Sequence, residues 1–157
     1  MQVINNIKSG NQSLIITIGD SITEQNRHTS GMLNYSGILW GPQTTFSVLN
    51  ARVEGDSASG GICRLQRDVI RHDPDLVLVG FCLNDAMQGI KGIEEYSTSM
   101  NVPVADVYAQ WERLAANDVD TTALLSNGLN HPDVSGQSLI AETIWQSITK
   151  HSPPSTR

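Results

Sequence analysis

Ser21 closes the tripeptide Gly19-Asp20-Ser21, which follows the apolar run Leu14-Ile15-Ile16-Thr17-Ile18. Such a run, stopped by a glycine, reads as a buried strand ending in a turn. In open α/β sheets ligands bind outside the carboxyl ends of the strands, so a serine there stands where a nucleophile is useful. Alone the tripeptide says little: average composition produces it in roughly a few per cent of chains this long, and a serine at a helix entry is commonly only a cap. Three further polar clusters follow predicted elements in the same way: Glu54-Gly55-Asp56-Ser57, Asn84-Asp85 and His131-Pro132.

Together these clusters hold the parts of an acyl-transfer site: a nucleophile, a base and donors for an oxyanion. Ser21 can attack. His131 can take its proton, because imidazole titrates near neutral pH. The backbone N–H groups of Ser21 and Gly55 and the side-chain amide of Asn84 can donate to the oxyanion. Glycine suits position 55 because it lets backbone approach a ligand closely. Asp20 and Asp85 read as supports that bond loop N–H groups around the site. Each residue also has a plainer reading: Asn84 as an ordinary turn residue, His131 as a helix-entry residue.

The elements that must position these residues alternate β and α. Strands are expected over residues 14–19, 46–50 and 76–81, the third buried on both faces, and a last one over 102–106. That last strand belongs at an edge, because Pro103 cannot donate to a ladder. Helices are expected within 22–40, over 60–71 with Ile62, Leu65 and Val69 near one face, over 94–100, around Trp111 to Ala115, and over 134–150. Alternation of this kind implies a parallel sheet with helices on both faces and right-handed crossovers. The rim shared by the strand ends then gathers Ser21, Gly55 and Asn84, and the connection before the last helix returns His131 to it.

Composition narrows the function. A chain of 157 residues favours one domain, read here as 1–150 with a frayed polar tail at 151–157. A net charge of -6 argues against nucleic acid, which needs a basic face. No run approaches the ~20 apolar residues of a membrane span. The first dozen residues lack the apolar core of a signal peptide, so the chain as it stands reads as cytoplasmic, with secretion of a processed form left open. Cys63 and Cys82 fall in expected core elements and read as free thiols, with a disulfide left open. No Cys/His cluster suggests a metal, and no cofactor is required.

Taken together, the four blocks resemble the SGNH hydrolases, the GDSL esterase/lipase family, in order and over nearly the whole chain. Gly19-Asp20-Ser21-Ile22-Thr23 is similar to the first block and Gly55-Asp56-Ser57 with the helix after it to the second. Phe81-Cys82-Leu83-Asn84-Asp85 is similar to the third and Asn127-Gly128-Leu129-Asn130-His131-Pro132 to the last. The resemblance implies a flavodoxin-like three-layer α/β/α fold, Ser21 as nucleophile, Gly55 and Asn84 completing the oxyanion hole, and His131 as base.

Two departures stand out. The family's last block usually carries an aspartate three or four residues before the histidine, where this chain has Gly128 and Asn127. Asn127 is therefore expected to hold the imidazole, with Asp133 or a backbone carbonyl as alternatives. In serine proteases, changing the orienting acid to an amide lowers kcat about 10⁴-fold. The chain is also short, as if one helix–strand unit were missing, leaving about four strands and an exposed sheet edge that invites pairing with a second copy. The first reading is a serine esterase for short-chain carboxylic esters, with acetyl groups on carbohydrate as substrate. The second is an SGNH-like binding module that has lost its acid, and the third a flavodoxin-like nucleotide domain.

Overall fold

In the computed structural model the chain is described over residues 5–6, 9–25, 46–81, 84–85 and 102–150, with Glu24 and Gln25 as backbone only. The expected helix at 94–100, the 26–40 part of the first helix, Cys82 and the tail lie outside these residues.

β1 (Ser13–Gly19) is central. It pairs in parallel with β2 (Phe46–Arg52) on one side and β3 (Leu76–Gly80) on the other. The register aligns Gly19 with both Arg52 and Gly80. All three strands therefore end at one level, and the polar clusters that follow them share a rim.

β1 shows no polar alternation because helices cover both of its faces. On one face Ile15 packs with Ile148, and Ile144 and Trp145 lie against this pair, all three from α4 (Val134–Lys150). On the other, Ile16 and Ile18 pack with Val69 and Phe81, with Ala58 and Leu65 of α2 (Ala58–Asp68) against them. This is a three-layer α/β/α arrangement. Burying each of these isoleucines contributes about 1.5–3 kcal/mol. Two further α-helices are described, α1 (Ser21–Gln25) and α3 (Val107–Ala116), with short 3-10 turns at Ile70–His72 and Thr121–Leu124.

The structure differs from the sequence expectation at several points. Residues 102–106 join no ladder, so the sheet has three strands among the described residues, not four. Pro103 lacks an N–H, and the segment is held from the side instead, by Ser147 Oγ donating to the Val104 carbonyl at 3.0 Å. β3 is not buried on both faces: Val79 is 67% exposed, and among the described residues β3 ends the sheet on its side. In α2, Ile62 is 71% exposed and Cys63 also faces outward. The helix starts two residues earlier than expected and turns Gly61 and Arg64 inward instead. Arg64 tolerates burial because both charge and donors are matched. It pairs with Asp56 at 2.7 Å and Asp68 at 3.2 Å, and donates to the carbonyls of Gly19 and Ala51 at the strand ends.

Candidate active site

The rim is assembled by carboxylates and amides that satisfy main-chain groups. Gly19 ends β1 where no side chain fits: a Cβ there would meet Thr23 Oγ1 and the Gly80 carbonyl. The chain then turns into α1, and Asp20 Oδ1 accepts the Ile22 N–H at 3.0 Å. Asp20 is almost wholly buried. Burial pushes its carboxyl above the usual range; the Ile22 and its own N–H groups oppose this, and the charge of Asp85 adds to the rise.

After β2 the chain reaches Gly55 at φ 71, a left-handed conformation that favours glycine. Asp56 next to it accepts the Ser57 N–H at 2.9 Å and binds Arg64. Asp85 accepts the Ala58 N–H at 2.9 and 3.2 Å, so a carboxylate meets the N-terminus of α2, where negative charge is stabilised. Asn84 Nδ2 donates to the Asp56 carbonyl at 2.9 Å. Blocks two and three are thus locked together.

The histidine loop is a closed turn. Leu125 and Pro132 form an antiparallel bridge, and Ser126 donates to the His131 carbonyl through N–H at 2.7 Å and Oγ at 3.0 Å. Gly128 sits at φ 67, and Asn127 Oδ1 accepts the N–H groups of Leu129, Asn130 and His131. Asp133 does not reach the ring: its carboxylate accepts the Gly136 N–H at 2.8 Å and caps α4.

These elements bring His131 Nε2 to 3.1 Å from Ser21 Oγ, across 110 residues of chain. On the ring's far side Nδ1 meets Asn130 Oδ1 at 2.7 Å and Asn127 Nδ2 at 3.0 Å. Asn130 drew no attention in the sequence, because it fills none of the positions where an acid was sought. Gln137 was also missed. It is 0% exposed, and its Nε2 donates to the Ile22 carbonyl at 3.3 Å, pinning the helix after His131 to the residue after Ser21. Its signal was visible: a polar residue in line with Ala141, Ile144 and Ile148 on the buried stripe of α4.

Among the described residues no cluster of three or more His, Cys, Asp or Glu side chains could hold a metal ion. No helix among them is long and apolar enough to cross a membrane.

A nucleophile-bearing strand end, a histidine returned to it by the last helix and a parallel sheet between helices define an α/β serine hydrolase. Residues 15–132 match the GDSL-like Lipase/Acylhydrolase family, and the chain belongs to that family. No curated protein matches it in sequence. Solved structures share the fold. A two-domain esterase active on acetylated mannans matches at TM-score 0.66 and 19% identity, covering 99% of this chain; this chain spans 54% of that one. A variant of an acetyl xylan esterase from Geobacillus stearothermophilus matches at 0.71 and 17% identity, over 91% of this chain and 97% of that one. A lipase/acylhydrolase from Enterococcus faecalis matches at 0.69 and 19% identity, over 92% and 100% respectively.

Proposed function

We propose that this protein hydrolyses short-chain acyl esters, acetyl esters of carbohydrate in particular, through an acyl-enzyme on Ser21. The observation that carries the reading is the 3.1 Å approach of His131 Nε2 to Ser21 Oγ, within hydrogen-bond reach of nucleophile and base. Ser21 Oγ attacks the ester carbonyl carbon as its proton passes to His131 Nε2. The carbonyl oxygen becomes an oxyanion, met by the N–H groups of Ser21 and Gly55 and by Asn84 Nδ2. Collapse expels the alcohol, which takes the proton from His131. Water, deprotonated by the same nitrogen, then releases the acid and restores Ser21.

The substrate class is supported by the neighbours in fold, which are named for acetylated mannan and xylan. Among the described residues β3 ends the sheet, which supports pairing with a second copy; sedimentation across a concentration series tests it. For the chemistry, p-nitrophenyl acetate hydrolysis by the wild type and by Ser21→Ala is decisive. The wild type should turn over and label covalently at Ser21 with a serine-reactive phosphonate, and the variant should do neither. Equal turnover by the variant removes Ser21 as nucleophile. A wild type that neither turns over nor labels favours a binding module.

A further inference from the structure

Two asparagines converge on one nitrogen of His131. Asn130 Oδ1 lies 2.7 Å from Nδ1 and Asn127 Nδ2 lies 3.0 Å from it. Nδ1 has one in-plane position, which either carries a proton and donates or lacks one and accepts. A carbonyl oxygen requires the first state and an NH2 group the second. The two amides therefore demand opposite tautomers, and only one can prevail.

The surrounding hydrogen bonds decide between them. Asn127 is committed by its oxygen, which accepts the N–H groups of Leu129, Asn130 and His131 at 3.1, 3.0 and 3.1 Å. Its NH2 must then face the ring. That same NH2 donates to Asn130 Oδ1 at 2.8 Å, which commits the Asn130 amide in turn: reversing it would set NH2 against NH2. Asn130 Oδ1 is left as an acceptor between two donors, Asn127 Nδ2 and the ring nitrogen. With Nδ1 protonated, Asn130 Oδ1 accepts from both donors, and the one mismatch is the longer, 3.0 Å approach of the ring N–H to the Asn127 NH2. With Nδ1 bare, Asn130 Oδ1 faces a lone pair at 2.7 Å.

We propose that Asn130 is the positioning residue that fixes His131 with Nδ1 protonated and Nε2 free to accept from Ser21, and that Asn127 acts one step back by locking the Asn130 amide. The inference rests on the hydrolase reading of Ser21 and His131 for its catalytic meaning. It replaces the family's acid with a neutral pair that selects the tautomer by geometry. Among the described residues the neighbouring carboxylates are engaged elsewhere: Asp133 caps α4, while Asp20, on the strand-end side, feels the charge of His131 but spends Oδ1 on the Ile22 N–H.

The test is nitrogen NMR of the full chain with labelled histidine, at a pH where the ring is neutral, the His131 signals being assigned by their loss in His131→Gln. The wild type should show Nδ1 protonated and Nε2 bare. In Asn130→Ala the Asn127 NH2 is the remaining amide partner, so the ring should move toward Nε2–H. kcat on p-nitrophenyl acetate should then fall about a hundredfold, the lower end of what general-base catalysis contributes, with KM nearly unchanged. Asn130→Asp offers an acceptor to both donors. It should keep Nδ1–H, raise kcat about tenfold, a fraction of the full acid-to-amide effect, and move the acid limb of the pH–rate profile upward, since a carboxylate raises an imidazole pKa. A wild-type ring protonated on Nε2 would overturn the inference, and so would Nδ1–H persisting in a folded Asn130→Ala. The tautomer signals need no turnover. If they behave as expected while a phosphonate fails to label Ser21, the hydrolase reading falls and the positioning role stands.

Discussion

The Asn84 side-chain amide donates to the main-chain carbonyl of Asp56 at 2.9 Å, so the segment that follows β3 is bound to the residue beside Gly55. An amide NH2 carries two N–H donors. One is used on Asp56, which fixes the direction of the other. The oxyanion donor proposed for Asn84 is thus held in place before substrate arrives, which is what makes such donors effective.

Asn84→Ala should therefore lower kcat far more than it raises KM, by roughly 10²–10³, or about 3–4 kcal/mol. The lost interaction develops only as charge builds on the carbonyl oxygen. Steady-state kinetics on p-nitrophenyl acetate separates the two parameters. A change confined to KM would assign Asn84 to ground-state binding instead.

The two glycines at the rim should respond differently to the same substitution. At Gly19 a Cβ would strike Thr23 Oγ1 and the Gly80 carbonyl, and that carbonyl also accepts the Asp20 N–H at 3.3 Å. Backbone must move, so Gly19→Ala should cost about 3 kcal/mol, the upper end for overpacking. At Gly55 a Cβ would meet nothing within 4 Å, and only the φ of 71 opposes it, so Gly55→Ala should cost about 1 kcal/mol. Urea denaturation of both variants checks the order. Equal losses would mean that the close approach at Gly19 is not the reason for glycine there.

The rim was legible in the sequence because its parts are local. Gly19-Asp20-Ser21 follows an apolar run that can only be a buried strand, and His131 precedes a helix whose isoleucines at 140, 144 and 148 mark its face. What was not legible depends on pairing across the fold. Ile62 reads as a core residue, yet Arg64 takes the inward place, held by Asp56, Asp68 and two strand-end carbonyls. Val79 sits in a run of apolar residues that reads as fully buried, yet it is exposed, and no feature of the run marks one face as uncovered. Asn130 escaped notice because an acid was sought by position, whereas the ring is met by whichever acceptor the turn at Gly128 delivers.

Arg64 should be a stability hot point. It donates to the Gly19 carbonyl at 3.2 Å and to the Ala51 carbonyl, and pairs with Asp56 at 2.7 Å. Arg64→Met keeps most of the stem's packing but strands the Asp56 carboxylate and two strand-end carbonyls. Breaking one side of such a buried pair costs about 3–5 kcal/mol. Arg64→Lys should recover little, because an ammonium cannot match the guanidinium fork across so many acceptors. Urea denaturation reads both, and a loss near zero for the methionine variant would show that water replaces the arginine at the strand ends.

Asp20 should make stability depend on pH in a definite direction. Burial is the largest influence on its carboxyl and raises its pKa above the ordinary 3.8. The folded chain therefore holds this proton more tightly than the unfolded chain does. As pH climbs past 3.8, the unfolded state loses the proton first, and the folded state is disfavoured progressively until its own raised pKa is passed. Below 3.8 both states are protonated and the penalty is absent. Asp20→Asn removes the titration while its Oδ1 can still accept the Ile22 N–H. The variant should gain stability relative to the wild type as pH rises through that window, and hold a constant advantage above it. Unfolding free energies of the two proteins, measured side by side from pH 3 upward, give the difference directly. A difference that shrinks with rising pH would mean that Asp20 is stabilised as the anion, and that its bonds to main-chain N–H groups outweigh its burial.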